Sequence, residues 1–481
     1  MQTQHPERAV TLITEALSQN PASAAAHGNL AEAFMALRRF EEAVNSYGMA
    51  IALRPGYADT YLGRANALRE LGRPEEALGS CDQAVILRPD LARAYICRAL
   101  ILRSMQRYEE TLACCDRALL TQPDLPDAWD KLGAALREVN HFEEALGVFE
   151  IASNEWPDLP SPRMNAGTVH LQLGRTEPGW QLYDWRNKPG GPVPGRVWSK
   201  PRWYGEESLT DKTILLWSEQ GLGDTIQFCR YATLLESRGA HVILSVQAGL
   251  CALLKTLSPT VRVVAESEAP PAFDVHCPLL SLPLAFGTTT GSVPATTPYL
   301  TADPDRVLHW RQRLGTAGFR IGICWQGSTL PIDTGRSFPL KLFDAISRIA
   351  GIRLISLQKG PGSEQLRNAP AGMTVETLGD DYDAGPDGFL DSAAVMGCLD
   401  LVVTSDTSIA HLAGALGCPT WLVLRNVPEW RWLLDREDSP WYPHHRLYRQ
   451  ETRGDWQSIF DRMYRELRTR CDPERGRERH R

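Results

Sequence analysis

Apolar and small residues in the first part of the chain follow a helical spacing, and the pattern repeats every 34 residues. Small residues recur at one position of each first helix, and a proline closes each second helix. The prolines are Pro21, Pro55, Pro89, Pro123 and Pro157, and the small residues are Ala31, Ala65, Ala99 and Gly133. Small side chains let helices approach closely, and larger ones such as Tyr47 and Phe149 fill the gap. The pattern therefore predicts a stack of helical hairpins.

The periodicity changes after a Pro- and Gly-rich stretch at 188–196. Short apolar runs then alternate with helical segments, which predicts parallel α/β structure in two halves that join near 299–315. The runs are TILLWS (213–218), HVILSV (241–246), VRVVAE (261–266) and FDVHC (273–277), then RIGICWQG (320–327), RLISLQKG (353–360), LVVTSD (401–406) and TWLVL (420–424). A final helix at 455–470 is expected to cross back over the first half.

The 34-residue pattern resembles the tetratricopeptide repeat (TPR) family over residues 6–185. The array begins with only a second helix and ends in a degenerate fifth repeat at 165–187, NAGTVHLQLGRTEPGWQLYDWRN. TPR arrays build a concave surface, so the resemblance implies that the array docks a peptide or a partner protein. A rigid spacer or a dimerisation module, and with it a homo-oligomer, stays open as the alternative.

Two segments of the α/β part resemble the heptosyltransferase-like group of GT-B glycosyltransferases: SEQGLGDTIQF (218–228) and VVTSDTSIAHLAGALGCPTWLVL (402–424). The resemblance covers residues 211–470. It implies a cleft between two Rossmann-like halves, transfer of a sugar from a nucleotide-sugar, and inversion at the anomeric carbon. TPR repeats joined to a GT-B region are also similar in architecture to protein O-GlcNAc transferases and to the bacterial TPR enzymes that glycosylate flagellin.

The predicted fold class is an α-helical TPR solenoid followed by a GT-B-type α/β region of two Rossmann-like domains. The predicted boundaries are 1–187 for the array, 188–210 for a linker, 211–300 for the N-terminal, acceptor-side half, 301–470 for the C-terminal, donor-side half with its returning helix, and 471–481 for a disordered tail.

Gly221 and Gly223 lie where the first strand turns into a helix, and glycine there permits a tight turn and close approach of a ligand. Asp224 follows at the helix start. From the residues alone, this Asp is either a helix cap or a carboxylate that faces the cleft. In the resembled family the matching Asp is the base that deprotonates the acceptor hydroxyl, and the resemblance gives that role to Asp224.

Asp406, Thr407, Ser408 and His411 lie where a later strand ends and a helix begins. Backbone N–H groups at a helix N-terminus form an anion site that suits a diphosphate. The hydroxyls of Thr407 and Ser408 add donors, and His411 lies one helical turn after Thr407. Similar segments in the family hold the nucleotide diphosphate, although many relatives carry Gly where this chain has Ser408. Capping by Asp406 beside a core His411 is the alternative.

Arg336 matches a family Lys or Arg that neutralises the leaving phosphates. Such a cation replaces a metal ion, and the sequence has no acidic pair suited to one. No metal is therefore expected, nor any cofactor besides the nucleotide-sugar co-substrate. Gln326, Lys359 and Glu364 lie at further strand ends of the same half and are additional donor-site candidates.

The segment 429–450, EWRWLLDREDSPWYPHHRLYRQ, is aromatic and basic. Aromatic faces stack on sugars and bases, and His444, His445 and Arg446 have groups that contact phosphate. Packing of a returning core segment is an equal alternative.

Composition narrows the function classes. The formal net charge of -7 argues against a general nucleic-acid binder. No run approaches the roughly 18 apolar residues of a membrane span, and the start, MQTQHPERAV, lacks the pattern of a secretory signal. The 11 cysteines lie mostly in apolar helix or strand patterns without zinc-finger spacing, which predicts reduced thiols and a cytoplasmic protein.

Three functions fit these motifs. The first is transfer of a sugar to a protein hydroxyl, such as that of flagellin, with the TPR array docking the acceptor. The second is the same chemistry on a lipid-linked or polysaccharide acceptor. The third is a non-catalytic TPR scaffold with an inactive GT-B region. The set Asp224, Arg336, Asp406 and His411 favours catalysis, and no basic amphipathic helix supports a membrane-bound acceptor.

Overall fold

The computed structural model describes residues 6–193, 196–328 and 335–471, in two compact units, Met1–Asn165 and Ala166–Arg481. Three sequence predictions fall partly outside the described residues. These are the absence of a secretory signal at the N-terminus, the linker at 194–195, and the disordered tail at 472–481.

The first unit consists of successive helices that pack on their neighbours, as the 34-residue pattern predicts. They are α1 (Pro6–Gln19), α2 (Ala24–Ala36), α3 (Phe40–Leu53), α4 (Ala58–Glu70), α5 (Pro74–Leu87), α6 (Ala92–Ser104), α7 (Tyr108–Thr121), α8 (Pro126–Glu138) and α9 (Phe142–Glu155). The next helix, α10 (Pro160–Gln172), runs from the first unit into the second.

Small residues let the helices of a hairpin approach closely. Gly133 in α8 faces Phe149 of α9, and a methyl group added to Gly133 would lie 2.5 Å from the phenyl ring. Gly63 in α4 faces the ring of Tyr47 in α3 in the same way. Both rings are buried, so the predicted pairing of small with large residues is confirmed.

In its described residues, the second unit contains the end of α10, further helices and ten strands. Its helices are α11 (Thr176–Tyr183), α12 (Leu222–Phe228), α13 (Tyr231–Glu236), α14 (Cys251–Leu254), α15 (Leu282–Ala285), α16 (Pro304–Leu314), α17 (Asp344–Ser347), α18 (Leu390–Met396), α19 (Ser408–Ala415) and α20 (Gln457–Arg470). Its strands are β1 (Thr213–Trp217), β2 (His241–Val246), β3 (Arg262–Ala265), β4 (Val275–Pro278), β5 (Phe319–Cys324), β6 (Ile352–Ser356), β7 (Val375–Glu376), β8 (Leu401–Ser405), β9 (Thr420–Leu424) and β10 (His445–Arg449).

The strands form two parallel sheets, with the orders β3-β2-β1-β4 and β10-β9-β8-β5-β6-β7. The first sheet lies in the predicted first half and the second sheet in the predicted second half. Strands β7 and β10 are absent from the sequence prediction. The helical segment DTIQFCRYATLLESRG (224–239), which follows the first predicted strand, is divided between two short helices, α12 and α13.

The final helix, α20, packs on the second sheet. Its buried side chains Ile459, Phe460 and Met463 belong to the hydrophobic core around Trp325 and Trp421. The prediction that this helix crosses back over the first half is therefore wrong, because its apolar face is already covered by its own half.

The described part of the predicted linker packs against the first sheet. Trp198 joins a cluster with Leu215 and Trp217. Trp203 is buried, and its backbone N–H donates to the carbonyl of His276 in β4 at 2.8 Å. Large apolar side chains thus anchor this stretch to the second unit, so it is not a free spacer.

Candidate functional site

The turn between β1 and α12 holds Asp224 at the third position of the helix. One carboxylate oxygen, Oδ2, accepts from the backbone N–H of Gly221 at 2.8 Å, as in a capping box. The other oxygen, Oδ1, accepts from the guanidinium of Arg431. Asp224 therefore caps α12 and also pairs with Arg431, which lies in the half of the unit that contains the second sheet.

Helices α12 and α19 touch at their N-terminal turns. A methyl group added to Gly223 would lie 2.6 Å from Cδ2 of His411 and 3.4 Å from Cα of Ser408. Only a residue without a side chain permits this approach. The contact brings Asp224, predicted on the acceptor side, next to the predicted donor-side turn.

His411 is buried and tightly held. Its Nδ1 lies 2.9 Å from the hydroxyl of Tyr442, and its ring stacks on Trp432 at 5.6 Å. Burial, and then the nearby positive charges of Arg431 and other groups, hold the pKa of His411 well below its usual range. His411 is therefore neutral near pH 7. It contributes packing and a hydrogen-bonding nitrogen to the site, but no charge.

The turn between β8 and α19 holds Asp406, Thr407 and Ser408. Thr407 is the N-cap, and no side-chain hydrogen bond caps the helix, so the alternative in which Asp406 caps it is not observed. Instead, the buried Asp406 carboxylate lies 3.9 Å from the guanidinium of Arg336. The structure thus brings a cation to the N-terminal turn of α19.

The three weaker donor-site candidates have different surroundings. Gln326 is half-buried, and its side-chain oxygen accepts from Gln365 at 3.2 Å. The Lys359 ammonium donates to the backbone carbonyls of Tyr382 and Asp383, which directs it toward the loop before α18. Glu364 is exposed on a short helical turn. None of the contacts described for Lys359 or Glu364 joins them to Arg336 or Asp406.

Three site residues escaped the sequence analysis: Arg431, Glu429 and Gln227. Arg431 is buried, and its Nη1 donates to Glu429 at 2.6 Å. Its Nε donates to the side chain of Gln227, and its Nη2 donates to Asp224. The guanidinium also lies 4.2 Å from the centre of the Trp430 ring. The sequence signal for Arg431 and Glu429 was the aromatic and basic segment at 429–450, and Gln227 lies in the segment 218–228.

Glu429 is the most perturbed carboxyl near Asp224. Its side chain is 26% exposed. Burial raises the pKa of Glu429 to about 7, against the opposing charge of Arg431 and with a contribution from Asp406. A carboxyl group that titrates near neutral pH is common at functional sites.

The rest of the segment 429–450 is mainly structural. His445 is buried in β10 and lies 3.0 Å from the carbonyl of Ala410, and Arg446 pairs with Glu466. His444 is exposed. Packing of a core segment therefore describes these residues, while the phosphate contacts considered for His445 and Arg446 are not supported.

The end of the repeat region contacts the residues that lead into the β1–α12 turn. Arg186, which follows α11, forms a fully buried ion pair with Glu219 at 2.7 Å. Glu219 and Gln220 lead directly into the turn, and the Gln220 amide donates to the hydroxyl of Tyr183 at 3.2 Å. The helix that ends the repeat pattern thus holds the loop that carries Asp224.

A small apolar pocket lies beside this site. Its volume is about 290 Å³ including the part that opens to solvent, and Trp180, Trp430 and Trp441 are among the residues that line it. Trp180 donates to the backbone carbonyl of Thr288 at 2.8 Å. Trp430 thus lines the pocket and also contacts the guanidinium of Arg431.

Residues 6–193, 196–328 and 335–471 contain neither a group of side chains suited to a metal ion nor a helix suited to crossing a membrane. Within those ranges, no three His, Cys, Asp or Glu side chains are grouped so that they would hold a metal ion. No helix in those ranges is both long enough and apolar enough to span a bilayer.

Comparison with known proteins identifies the helical array. The tetratricopeptide repeat family matches residues 1–58, 29–92 and 62–128, so these helices are TPR repeats. Protein FlbA of Caulobacter vibrioides is 29% identical over 326 residues, which cover 63% of this chain and 54% of FlbA. The chain thus spans about half the length of this curated relative.

Solved TPR structures are similar over about a third of the chain. YrrB, a TPR protein with an unusual peptide-binding site, matches with a TM-score of 0.31 and 20% identity over 36% of this chain and 89% of YrrB. PilW, a widely conserved type IV pilus biogenesis factor, matches with a TM-score of 0.36 and 20% identity over 38% of this chain and 86% of PilW.

Proposed function

We propose that this protein is a GT-B glycosyltransferase that moves a sugar from a nucleotide-sugar to a hydroxyl group of a protein. The observation that carries the proposal is the contact between Gly223 and His411. This contact brings Asp224, at the end of the first parallel sheet, close to the N-terminus of α19. That helix terminus and Arg336 lie at the end of the second parallel sheet. Ligands of α/β proteins bind outside the carboxyl ends of parallel strands.

In the proposed reaction, Asp224 accepts the proton of the acceptor hydroxyl. The hydroxyl oxygen attacks the anomeric carbon as the bond from that carbon to the phosphate oxygen breaks. The nucleoside diphosphate leaves with the bonding electrons, and the proton remains on Asp224 until it passes to water. A single displacement of this kind inverts the anomeric centre.

The donor side stabilises the leaving diphosphate. Its charge is met by the guanidinium of Arg336 and by the backbone N–H groups at the start of α19. Thr407 and Ser408 add hydroxyl donors. The neutral His411 holds α12 against α19, so that base and diphosphate site stay at a fixed separation.

The acceptor is a protein because the N-terminal helices are TPR repeats, and such arrays present an extended surface for peptides and proteins. The proposed division of labour assigns acceptor choice to the array and chemistry to the α/β region.

The proposal is tested with the purified full-length protein and a panel of nucleoside diphosphates and nucleotide-sugars. We expect one nucleotide class to raise the melting temperature, since a ligand that binds only the folded state stabilises it. The matching nucleotide-sugar should be slowly hydrolysed by the wild type. Asp224→Asn should bind it normally but lose turnover by about 10²–10⁴-fold, whereas Asp305→Asn, an exposed carboxyl in α16, should behave as wild type.

Two outcomes contradict the proposal. If no nucleotide shifts the melting temperature, the α/β region is not a donor site and the scaffold function takes its place. If Asp224→Asn keeps more than about a tenth of the wild-type turnover, Asp224 is not the base.

A further inference from the structure

The guanidinium of Arg431 pairs with two carboxylates in the second unit. One lies in the half that contains the first sheet, and the other lies in the half that contains the second sheet. Nη2 of Arg431 donates to Asp224, which follows β1 of the first sheet. Nη1 donates to Glu429, which follows β9 of the second sheet, at 2.6 Å. The backbone N–H of Arg431 donates to the other oxygen of Glu429 at 3.0 Å. Asp224 and Glu429 therefore compete for the charge of the same cation.

Carboxylates crowd around this guanidinium. Asp406 acts on Glu429 as a third negative group, and Arg336 pairs with Asp406. His411 is neutral, because burial and then the charges of nearby groups, Arg230 among them, hold its pKa well below its usual range. Among the described residues, three carboxylates thus meet in a largely buried site. Crowded like charges favour a proton on one member of the set.

Glu429 is the member that is best placed to carry this proton. Its side chain is 26% exposed, so water can deliver and remove a proton. Burial raises the pKa of Glu429 to about 7, against the charge of Arg431, while Asp406 contributes to the rise.

We propose that Glu429 is a positioning residue that takes up and releases a proton and thereby controls how strongly Arg431 holds Asp224. The step is an exchange of one proton between the Glu429 carboxylate and water. When Glu429 is ionised, the charge of Arg431 is divided between two carboxylates, and Arg431 holds Asp224 less strongly. When Glu429 is protonated, Arg431 pairs with Asp224 alone and holds it more strongly, which hinders proton transfer from the acceptor hydroxyl. This consequence for catalysis rests on the proposed role of Asp224.

The proton site itself is tested without any activity, by the pH dependence of thermal stability. A carboxyl whose pKa is higher in the folded than in the unfolded protein stabilises the fold at low pH, and that contribution is lost as the pH rises toward the folded value. We therefore expect the melting temperature of the wild type to fall more between pH 5 and 8 than that of Glu429→Gln.

The matched control is Glu437→Gln. Glu437 is exposed, and its hydrogen bond to Arg462 lowers its pKa, so its titration lies below this pH range. The difference in melting temperature between Glu437→Gln and the wild type should be constant between pH 5 and 8. If the curve of Glu429→Gln runs parallel to that of the wild type in the same way, Glu429 does not exchange a proton near neutral pH and the proposal is overturned.

The effect on catalysis is tested by the pH profile of kcat with the donor found in the nucleotide panel. We expect kcat of the wild type to fall as the pH drops through about 7. Glu429→Gln imitates the protonated state, so its kcat should be about tenfold lower at pH 8 and flat between pH 6 and 8. A profile with the wild-type shape would overturn the positioning role. A difference in the stability curves without transfer to any acceptor would support the proton site and count against the proposed function alone.

Discussion

Arg336 is the cation that is expected to bind the leaving diphosphate. Its guanidinium lies 3.9 Å from the buried carboxylate of Asp406, at the N-terminal turn of α19. Interactions with charged groups contribute on the order of 1.5–3 kcal/mol, so Arg336→Ala should raise the Kd for the nucleoside diphosphate by about tenfold or more. Isothermal titration calorimetry measures this change.

The control for this variant is Arg313→Ala, which removes an exposed arginine that pairs with Asp381 in the same half. It should leave the Kd unchanged. Arg336→Lys should recover part of the affinity, because the charge returns without the two-pronged geometry of the guanidinium. Equal Kd values for wild type and Arg336→Ala would remove Arg336 from the diphosphate site.

We also expect transfer without a metal ion. The proposed site provides a guanidinium and helix N–H groups where a metal-dependent enzyme provides a divalent cation. Turnover should therefore be the same with excess EDTA as without it. Loss of turnover in EDTA that Mg²⁺ or Mn²⁺ restores would contradict this expectation.

At the scale of elements, the contact between α12 and α19 depends on one missing side chain. In Gly223→Ala the new methyl group would meet the ring of His411, which is held between Trp432 and Tyr442 and cannot move aside. Forcing extra volume into a packed core costs about 1–3 kcal/mol. We expect a lower melting temperature and a loss of transfer, measured by calorimetry and by the donor assay.

Gly249→Ala is the matched control, since its added methyl group would have no atom closer than 3.6 Å. It should keep both the melting temperature and the turnover. If Gly223→Ala behaved in the same way, the close approach of the two helices would not be needed for the site.

The sequence predicted the helices and strands better than it predicted the contacts between them. The TPR hairpins were predictable because each repeat obeys one local rule of small residues, aromatic residues and a closing proline. Strand β10 was missed because His445 and Arg446 look polar, although His445 is buried and the neighbouring Leu447 and Tyr448 pack inside. An edge strand with mixed polarity gives no clear alternation.

The same limit applies to the candidate site. The turn that carries Asp224 was recognisable, because glycines between a strand and a helix have few other uses. Arg431 was not, because it lies 207 residues further along the chain and its contact with Asp224 exists only in the folded protein. Glu429 was missed for the same reason, since its pKa depends on burial and on the charges of Arg431 and Asp406, which come together only in the folded protein.

At the scale of the whole molecule, we expect the TPR array to carry acceptor choice. Deleting residues 1–157 cuts between α9, which ends at Glu155, and α10, which begins at Pro160. The remaining protein should bind the donor and hydrolyse it slowly as the full chain does, but it should not modify the native acceptor. Thermal shift and transfer assays with the native acceptor measure the two effects.

A longer deletion, residues 1–187, is the control for the cut. It removes Trp180 and Arg186, both buried in the second unit, and leaves Glu219 as a buried carboxylate without its cation. Breaking a buried ion pair costs about 3–5 kcal/mol, so this protein should fold poorly. Equal modification of the native acceptor by the 1–157 deletion and the full chain would show that the array does not dock it.

The buried pair of Arg186 and Glu219 also constrains how such a chain can evolve. Repeats between α1 and α9 are built on one 34-residue rule, so a duplication or loss of one repeat leaves the next interface intact. The hairpin of α10 and α11 has no such freedom, because Tyr183 at the end of α11 and Arg186 just after it contact the residues that lead into the turn of Asp224. Among descendants of a common ancestor, array length should therefore vary only upstream of Pro160, while the last hairpin should be inherited together with the α/β region.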